Sequence, residues 1–205
     1  HDPRTDYLYA AGGATGNALV FDARSGVLVH EIQLTTDPAG LVLDVVATEA
    51  AAWFTDGCRP CLYRVALTKQ GRLANPVNVE EVMLGGDFVF LKEDLNANGI
   101  VAVDDDRSLL IVHTALGKLY RIGPATGYAA GIDLGGAVLR DSSGLAFADG
   151  TLYAANFNQC VYAIALDPTL SSGRVARRII SPHFDNPSAL AVVGEFVEPV
   201  GEAEV

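Results

Sequence analysis

Basic residues are scarce in this sequence. It holds 14 lysines and arginines against 25 aspartates and glutamates, which gives a formal net charge of −11 over 205 residues. The phosphates of nucleic acid repel such a surface, and no stripe of basic residues offsets it. We therefore expect no nucleic-acid partner and disfavour an anionic membrane. A cation is the more natural partner, although acidity also keeps a domain soluble.

Long apolar runs are absent as well. A membrane-spanning helix needs about 18 consecutive apolar residues, and the best run, Gly40 to Phe54, is interrupted by Asp44 and Glu49. We therefore expect no membrane span. The first residues show neither the charged nor the apolar region of a signal peptide. A signal peptide that was removed and a chain that is a fragment both stay open; the compartment is unknown, with a slight preference for an extracellular or secretory setting.

Cysteine is rare too, with only Cys58, Cys61 and Cys160. The odd number leaves at least one thiol unpaired within the chain. Cys58 and Cys61 have the C-x-x-C spacing, but no second pair and no suitably spaced histidine completes a zinc site. The motif falls in a predicted hairpin tip, where structural thiols are favoured over a local disulfide.

Glycine, in contrast, is plentiful, and its 21 residues indicate many turns between short strands. Four segments each contain two short apolar runs around a gap that holds Gly, Asn, Pro or Gln, which predicts a β-hairpin. The pattern places Val20, Tyr63, Tyr120 and Tyr162 at equivalent positions, spaced 43, 57 and 42 residues apart. The recurrence of tyrosine once per hairpin predicts packing between repeats rather than ligand binding.

A further strand precedes each of the later hairpins. The segments that begin at Leu43, Asn98, Ser143 and Ser188 fall in register, with starts 55, 45 and 45 residues apart. A fourth strand follows the hairpins, and four strands in about 40 to 45 residues is the spacing of a β-propeller. A β-sandwich also has alternating strands, but it does not repeat four equivalent units in this way.

The sequence thus predicts an all-β chain that is a single propeller domain over residues 1–205. Its blades lie near residues 1–39, 40–94, 95–139 and 140–184, and a partial blade covers 185–205. About four and a half blades are present, so the ring needs another polypeptide segment or chain to close it. An open ring leaves strand edges uncovered.

Several stretches of the sequence resemble a known family. They are Ala10 to Gly16, Trp53 to Asp56 with Leu62 to Val65, and Asn96 to Ala102. These residues are similar to those of the senescence-marker-protein/gluconolactonase family, whose superfamily includes paraoxonases and squid-type phosphotriesterases. The resemblance implies a six-bladed β-propeller, with about one and a half blades before the first residue and part of the last blade after Val205.

The resemblance also implies a divalent metal, usually calcium, at one mouth of the central tunnel. Its ligands in the family begin the innermost strands: an upstream Glu, then the first residues of an Asn-Asp, an Asn-Gly and an Asp-Gly pair. Here the pairs are Leu43-Asp44, Asn98-Gly99 and Ser143-Gly144. The Glu would precede His1.

Two of the implied ligand positions have therefore changed. Calcium prefers hard oxygen ligands; leucine offers none, and serine is a weak neutral ligand. We expect a site of Asn98, Ser143 and Asp44 to bind calcium weakly or not at all, and the hydrolysis that this metal would support to be lost with it. The preferred interpretation is a propeller with an eroded metal site that acts as a binding or structural module, within a larger protein or assembly.

Two alternatives stay open. The first is a calcium-dependent lactonase or esterase-like hydrolase, in which Asn98, Ser143 and Asp44 hold the metal and Asp44 also acts as base or nucleophile. The second is a metal-free propeller that binds a small molecule, because Leu43 makes the tunnel mouth more apolar. We interpret Asp104-Asp105-Asp106 as a solvated turn and His113 as structural.

Overall fold

The computed structural model describes residues 1–193 and 196–201. Within these residues every regular element is a β-strand, and no helix occurs. Accordingly, none of the described residues forms a helix that is long and apolar enough to cross a membrane.

Eighteen strands form four main sheets and one two-stranded sheet. Blade 1 holds β1 (Tyr7–Ala11), β2 (Asn17–Asp22) and β3 (Leu28–Gln33). Blade 2 holds β4 (Val42–Ala47), β5 (Ala51–Asp56), β6 (Cys61–Ala66) and β7 (Val79–Met83). Blade 3 holds β8 (Gly85–Gly86), β9 (Ala97–Val103), β10 (Ser108–His113), β11 (Lys118–Ile122) and β12 (Tyr128–Ile132). Blade 4 holds β13 (Ser142–Ala148), β14 (Thr151–Asn156), β15 (Cys160–Leu166) and β16 (Gly173–Ile180), and blade 5 holds β17 (Pro187–Val193) and β18 (Phe196–Gly201).

The strands of each blade follow one another in chain order and pair antiparallel, except that β8 pairs parallel with β12. The first strands of blades 2 to 5, which are β4, β9, β13 and β17, contact one another in turn and form the inner ring of the molecule. Successive antiparallel sheets with neighbouring inner strands are the architecture of a β-propeller. The predicted all-β fold, a partial propeller, is therefore confirmed.

The core lies between the blades, and the sheets of blades 2 and 3 are covered on both faces. Along β5 the side chains alternate, so that Phe54 packs toward blade 1 and Trp53 packs toward blade 3. The next interface joins Leu110 of blade 3 to Leu152 of blade 4. A strand that is buried on both faces needs a continuous apolar run, and every residue of β5 and β10 is buried.

In the hairpin of blade 1 the structure shifts the alignment of repeats that the sequence predicts by one residue. Gly12 pairs with Asn17 across the tip, as Asp56 stands opposite Cys61 in blade 2, so Leu19 is the equivalent of Tyr63 and Val20 is not. The glycine-rich tip offers no side chain to anchor the alignment. The alternation of side chains along the strand decides the alignment. Val20 of blade 1 packs against the following blade, whereas Tyr63 of blade 2 packs against the preceding one, so the two residues lie on opposite faces of their sheets.

The insertion between blades 2 and 3 covers one side of blade 3. Its strand β8 adds to the outer edge of β12, and Phe88 then packs on His113 and Tyr120 with ring centroids 5.7 and 5.3 Å apart. His113 is fully buried, its Nε2 lies 3.0 Å from the Val89 carbonyl oxygen, and burial lowers its pKa. These contacts support the structural interpretation of His113.

Candidate functional site

The three residue pairs singled out by the sequence lie at the same structural position. Leu43-Asp44 in β4, Asn98-Gly99 in β9 and Ser143-Gly144 in β13 each fall where the register with the second strand of the blade shifts. Each pair therefore forms a β-bulge near the beginning of an inner strand. Because the inner strands are neighbours, the bulges lie side by side at one end of the inner ring, which we call the mouth.

The second residue of each bulge faces the inner strand of the following blade. A Cβ at Gly99 would overlap the carbonyl oxygen of Ser143 and lie 2.8 Å from the Leu145 nitrogen, and a Cβ at Gly144 would lie 2.5 Å from Cα of Ala189. Both contacts are with main chain, which cannot move aside without displacing a strand. Glycine is therefore required by the close approach of neighbouring blades.

Asp44 occupies this same position in β4, and its side chain spans the junction between blades 2 and 3. One carboxylate oxygen accepts the Ile100 N–H at 2.9 Å and the other accepts the Val45 N–H at 2.8 Å. Burial raises the pKa of Asp44 to about 6, although the two N–H groups partly oppose this shift. The carboxylate thus links two inner strands.

Asn98 and Ser143 lie at the next junction, between blades 3 and 4. The Asn98 amide Nδ2 donates to Thr114 Oγ1 at 3.2 Å, and that hydroxyl donates to the carbonyl of Ser142 at 2.9 Å. The hydroxyl of Ser143 is buried and has no hydrogen-bond partner among the described residues. A buried polar group without a partner is unusual and costs stability.

Leu43 makes the mouth apolar between blades 2 and 3. A Cβ at Gly57 would lie 2.5 Å from Leu43 Cδ1 and 3.3 Å from Leu95 Cδ2, so the two leucines cover this glycine. The side chain at the first bulge position of blade 2 thus packs on the hairpin tip of its own blade and offers no ligand atom.

The residues at the mouth do not fit a calcium ion. Calcium takes about six to eight oxygen ligands, several of them carboxylates. The carboxylate of Asp44 is turned to two backbone N–H groups, and Leu43 has no donor atom. No group of three or more His, Cys, Asp or Glu side chains that could hold a metal ion occurs in the part of the chain that the structure describes.

Sequence analysis identified only His113 among a set of buried polar residues that end the second strands, and it missed the other two. Asp56, His113 and Asn156 are equivalent and almost fully buried. Each caps the following hairpin tip by accepting an N–H: Asp56 from Cys58, His113 from Leu116 and Asn156 from Asn158. The signal was visible as a polar residue at the end of each apolar run.

Asp56 also belongs to a polar network at the tip of the blade 2 hairpin. Tyr63 donates its hydroxyl to Asp56 at 2.7 Å and accepts from Arg59 at 2.9 Å, while Arg59 binds both oxygens of Glu81 at 2.7 and 3.0 Å. Cys61 lies next to this network as a buried free thiol whose pKa is raised to about 12 by burial. The C-x-x-C motif is thus part of a structural tip in which both thiols are free.

A belt of main-chain hydrogen bonds runs around the mouth. In blades 2 to 4 the N–H of the residue after the second strand donates to the carbonyl of the residue before the inner strand. In blades 2 and 3 the carbonyl of that same residue accepts an N–H from the next blade. The belt passes through Leu41, Gly57, Asn96, Thr114, Asp141 and Phe157, with N–O distances from 2.8 to 3.0 Å. Backbone groups near the mouth are therefore largely used to join the blades.

The raised pKa of Asp44 predicts a pH-dependent stability. A carboxyl whose pKa is about 6 in the folded state and about 3.9 when unfolded binds its proton more tightly in the folded state. Its contribution to stability is therefore full below about pH 4 and falls as the pH rises through 6. Relative to an Asp44→Asn variant, the wild-type protein should lose stability between pH 4 and 7. Chemical denaturation at several pH values tests this, and parallel pH profiles for the two proteins would contradict it.

Comparison with known proteins defines the class of fold. No protein-family profile and no curated protein matches the sequence. The chain is similar in structure to Myxococcus xanthus glutaminyl cyclase, with a TM-score of 0.60 and 14% identity over 96% of this chain and 82% of that one. It is also similar to a putative 6-phosphogluconolactonase from Bacteroides fragilis, with a TM-score of 0.62 and 12% identity over 96% of this chain and 60% of the other.

Two further solved structures share the architecture. A chain of the nidogen/laminin complex matches with a TM-score of 0.58 and 15% identity, over 90% of this chain and 65% of that one. The Neurospora crassa Pan2 WD40 domain matches with a TM-score of 0.56 and 12% identity, over 85% and 46%. The chain thus spans less than two thirds of several of these proteins. Together they show that it is a partial β-propeller; they do not show membership of the senescence-marker-protein family.

Proposed function

We propose that this propeller is a binding or structural module with an eroded metal site, which works within a larger protein or assembly. The observation that carries the proposal is the position of Asp44. It is the one acidic residue among the bulge residues of blades 2 to 4, and both of its oxygens accept N–H groups at the junction between blades 2 and 3. A carboxylate used in this way joins blades rather than binding a cation at the mouth.

The related folds support a binding role. Propellers carry many unrelated functions, so the site and not the fold decides the activity. The similar WD40 domain and the chain of the nidogen/laminin complex are consistent with a protein partner, in line with the lost ligand at Leu43, whereas the similar glutaminyl cyclase and putative 6-phosphogluconolactonase are named for enzymes. The hydrolase alternative needs Asn98, Ser143 and Asp44 to hold calcium, and it needs Asp44 to leave its two N–H donors.

One observation favours the second alternative, a metal-free site for a small molecule. The buried Ser143 hydroxyl has no partner among the described residues, and a ligand that carries a hydrogen-bonding group would supply one. The leucine side chains over Gly57 would contribute apolar contact beside it. Such a ligand would be small and neutral, with one polar group.

Calcium titration tests the proposed function. We expect no saturable heat when calcium is added to the full chain in a calorimeter, and no change in Tm when a chelator is present, because both oxygens of Asp44, the one acidic residue among the bulge residues of blades 2 to 4, accept backbone N–H groups. The Asn98→Ala variant is the matched control, since it removes the one family ligand that is retained. Calcium binding in the wild type that is lost in this variant would contradict the proposal and favour the hydrolase.

A further inference from the structure

A groove of about 330 Å³ lies between blades 3 and 4, at the end of the molecule opposite the mouth. Each of these two blades has at least four paired strands, so both walls of the groove are present. Three of the large apolar side chains that line it pack on the core between the blades and still stay partly exposed. They are Phe147 of β13, Leu166 of β15 and Leu170 of the loop between β15 and β16. We call this the blade 3–4 groove.

The corresponding groove between blades 2 and 3 has a different lining. The register of the inner strands with the second strands makes Phe147 the equivalent of Ala102 in blade 3. The lining between blades 2 and 3 also includes Arg64 and Glu80, which form an ion pair at 3.3 Å. Large, partly exposed apolar side chains are therefore a feature of the blade 3–4 groove and not of the repeat.

Leu170 is held in an unusual backbone conformation at this groove. Its φ of 57° lies in the left-handed region, which is rare for leucine. The carboxylate of Asp167 fixes the loop, since it accepts the N–H of Thr169 at 2.7 Å and the hydroxyls of Thr169 and Ser172. The same hydrogen bonds lower the pKa of Asp167, so its charge persists at neutral pH. Leu170 is thus ordered in advance, which reduces the entropy cost of binding a partner.

The rim of the blade 3–4 groove is acidic. Asp104 and Asp167 line it, one from each wall. Asp105 follows Asp104 in the loop of blade 3, and Asp149 lies in the facing loop of blade 4; both are exposed. Four carboxylates therefore surround a groove whose floor is apolar.

Two arginines lie near this rim, and both are already engaged. Arg107 forms an ion pair with Asp104, and Arg121 donates to the Thr169 carbonyl at 3.2 Å. The rim thus stays negative overall. A bound segment that carries positive charge on both sides of an apolar side chain would be complementary to it.

We propose that the blade 3–4 groove binds a basic segment of a partner protein, which inserts one large apolar side chain between Phe147, Leu166 and Leu170. The inference rests on the proposed function and names the partner's chemistry. The inserted side chain supplies the affinity by leaving water. The lysines or arginines on either side of it contact the acidic rim and select a basic partner.

A synthetic peptide with one leucine between two lysines on each side, acetylated and amidated at its ends, is the probe. One control peptide has alanine in place of the leucine, and a second has glutamate in place of every lysine. Binding to the full chain is followed by NMR of the leucine and valine methyl groups. We expect saturable shifts at Leu166 and Leu170, about tenfold weaker binding of the alanine peptide, and none of the glutamate peptide.

Substitutions at left-handed positions test the groove with little cost in stability, because asparagine accepts this conformation well. Leu170→Asn removes the apolar contact and should weaken the leucine peptide about tenfold while Tm changes little. Asp105→Asn combined with Asp149→Asn, where φ is 51° and 48°, removes two rim charges and should weaken binding at low salt. Glu93→Gln combined with Asp94→Asn is the matched control, since it removes two negative charges near the mouth and should leave binding unchanged.

Equal binding of the leucine and alanine peptides would overturn the inference, as would shifts confined to residues outside the groove or no saturable shift at all. Hexylammonium that binds as tightly as the leucine peptide would overturn it too, in favour of a small cation. Should Leu170→Asn fail to fold, the comparison of the peptides on the wild type still decides.

The calcium titration is independent of these outcomes. Calcium binding at the mouth together with peptide binding would remove the proposed function and keep the blade 3–4 groove as a binding site. Absence of both binding events would keep the eroded metal site and remove the groove.

Discussion

Replacing Gly99 with alanine should lower the free energy of unfolding by about 3 kcal/mol or more, which is at the upper end of the destabilisation that overpacking a core causes. The added Cβ would overlap the Ser143 carbonyl oxygen and lie 2.8 Å from the Leu145 nitrogen. Because both atoms belong to the main chain of β13, relief requires blades 3 and 4 to separate. Urea denaturation followed by circular dichroism measures the loss.

Gly85→Ala is the matched control for this prediction. Nothing lies within 4 Å of a Cβ built at Gly85, and the residue is exposed in β8. The same chemical change should therefore alter stability by only about 0.5 kcal/mol. Equal stabilities of the two variants would mean that blades 3 and 4 do not approach as closely as the structure shows.

Replacing Asp56 with alanine should be similarly severe, with an expected loss of about 3 to 5 kcal/mol, because several partners are left unpaired in a buried site. Asp56 accepts the N–H groups of Leu41, Cys58 and Arg59 at 2.9 to 3.0 Å and the Tyr63 hydroxyl at 2.7 Å. These contacts join the hairpin tip of blade 2 to the loop that enters it. Thermal and urea unfolding report the change.

Two further variants test whether the stability lost in Asp56→Ala comes from the buried hydrogen-bond network or only from the loss of a turn cap. In Asp56→Asn the amide oxygen can still accept the three N–H groups, so this variant should lose less than half as much stability as the alanine variant. Asp22 caps a turn by accepting the N–H groups of Arg24 and Ser25 at 3.1 and 2.8 Å, but its site is exposed to solvent. Asp22→Ala should therefore cost much less stability than Asp56→Ala. A similar cost for Asp22→Ala and Asp56→Ala would contradict the role of burial.

Much of the fold could be predicted because local patterns recur. Apolar runs broken by glycine and asparagine define the hairpins, and their repetition leaves few architectures other than a propeller. The alignment failed by one residue in blade 1, where Val20 was matched to Tyr63. Glycines at the tip accept several backbone conformations, so the sequence there does not determine the register.

The candidate site could be predicted in position but not in orientation. The bulge pairs at Leu43, Asn98 and Ser143 do lie together at one end of the inner strands. The direction of the Asp44 carboxylate could not be foreseen, since its partner Ile100 is 56 residues away in the chain. Asp56 and Asn156 were overlooked because a single polar residue after an apolar run is also typical of an exposed turn.

The sequence by itself determined the strand alternation, the repeat and the acidic surface, because each depends on neighbouring residues or on composition. Only the tertiary structure decided that Asp44 joins blades 2 and 3 and that Gly99 and Gly144 are required by the next strand. Each of these depends on how closely two blades approach. That distance is set by the packing of side chains from different repeats, which no local pattern records.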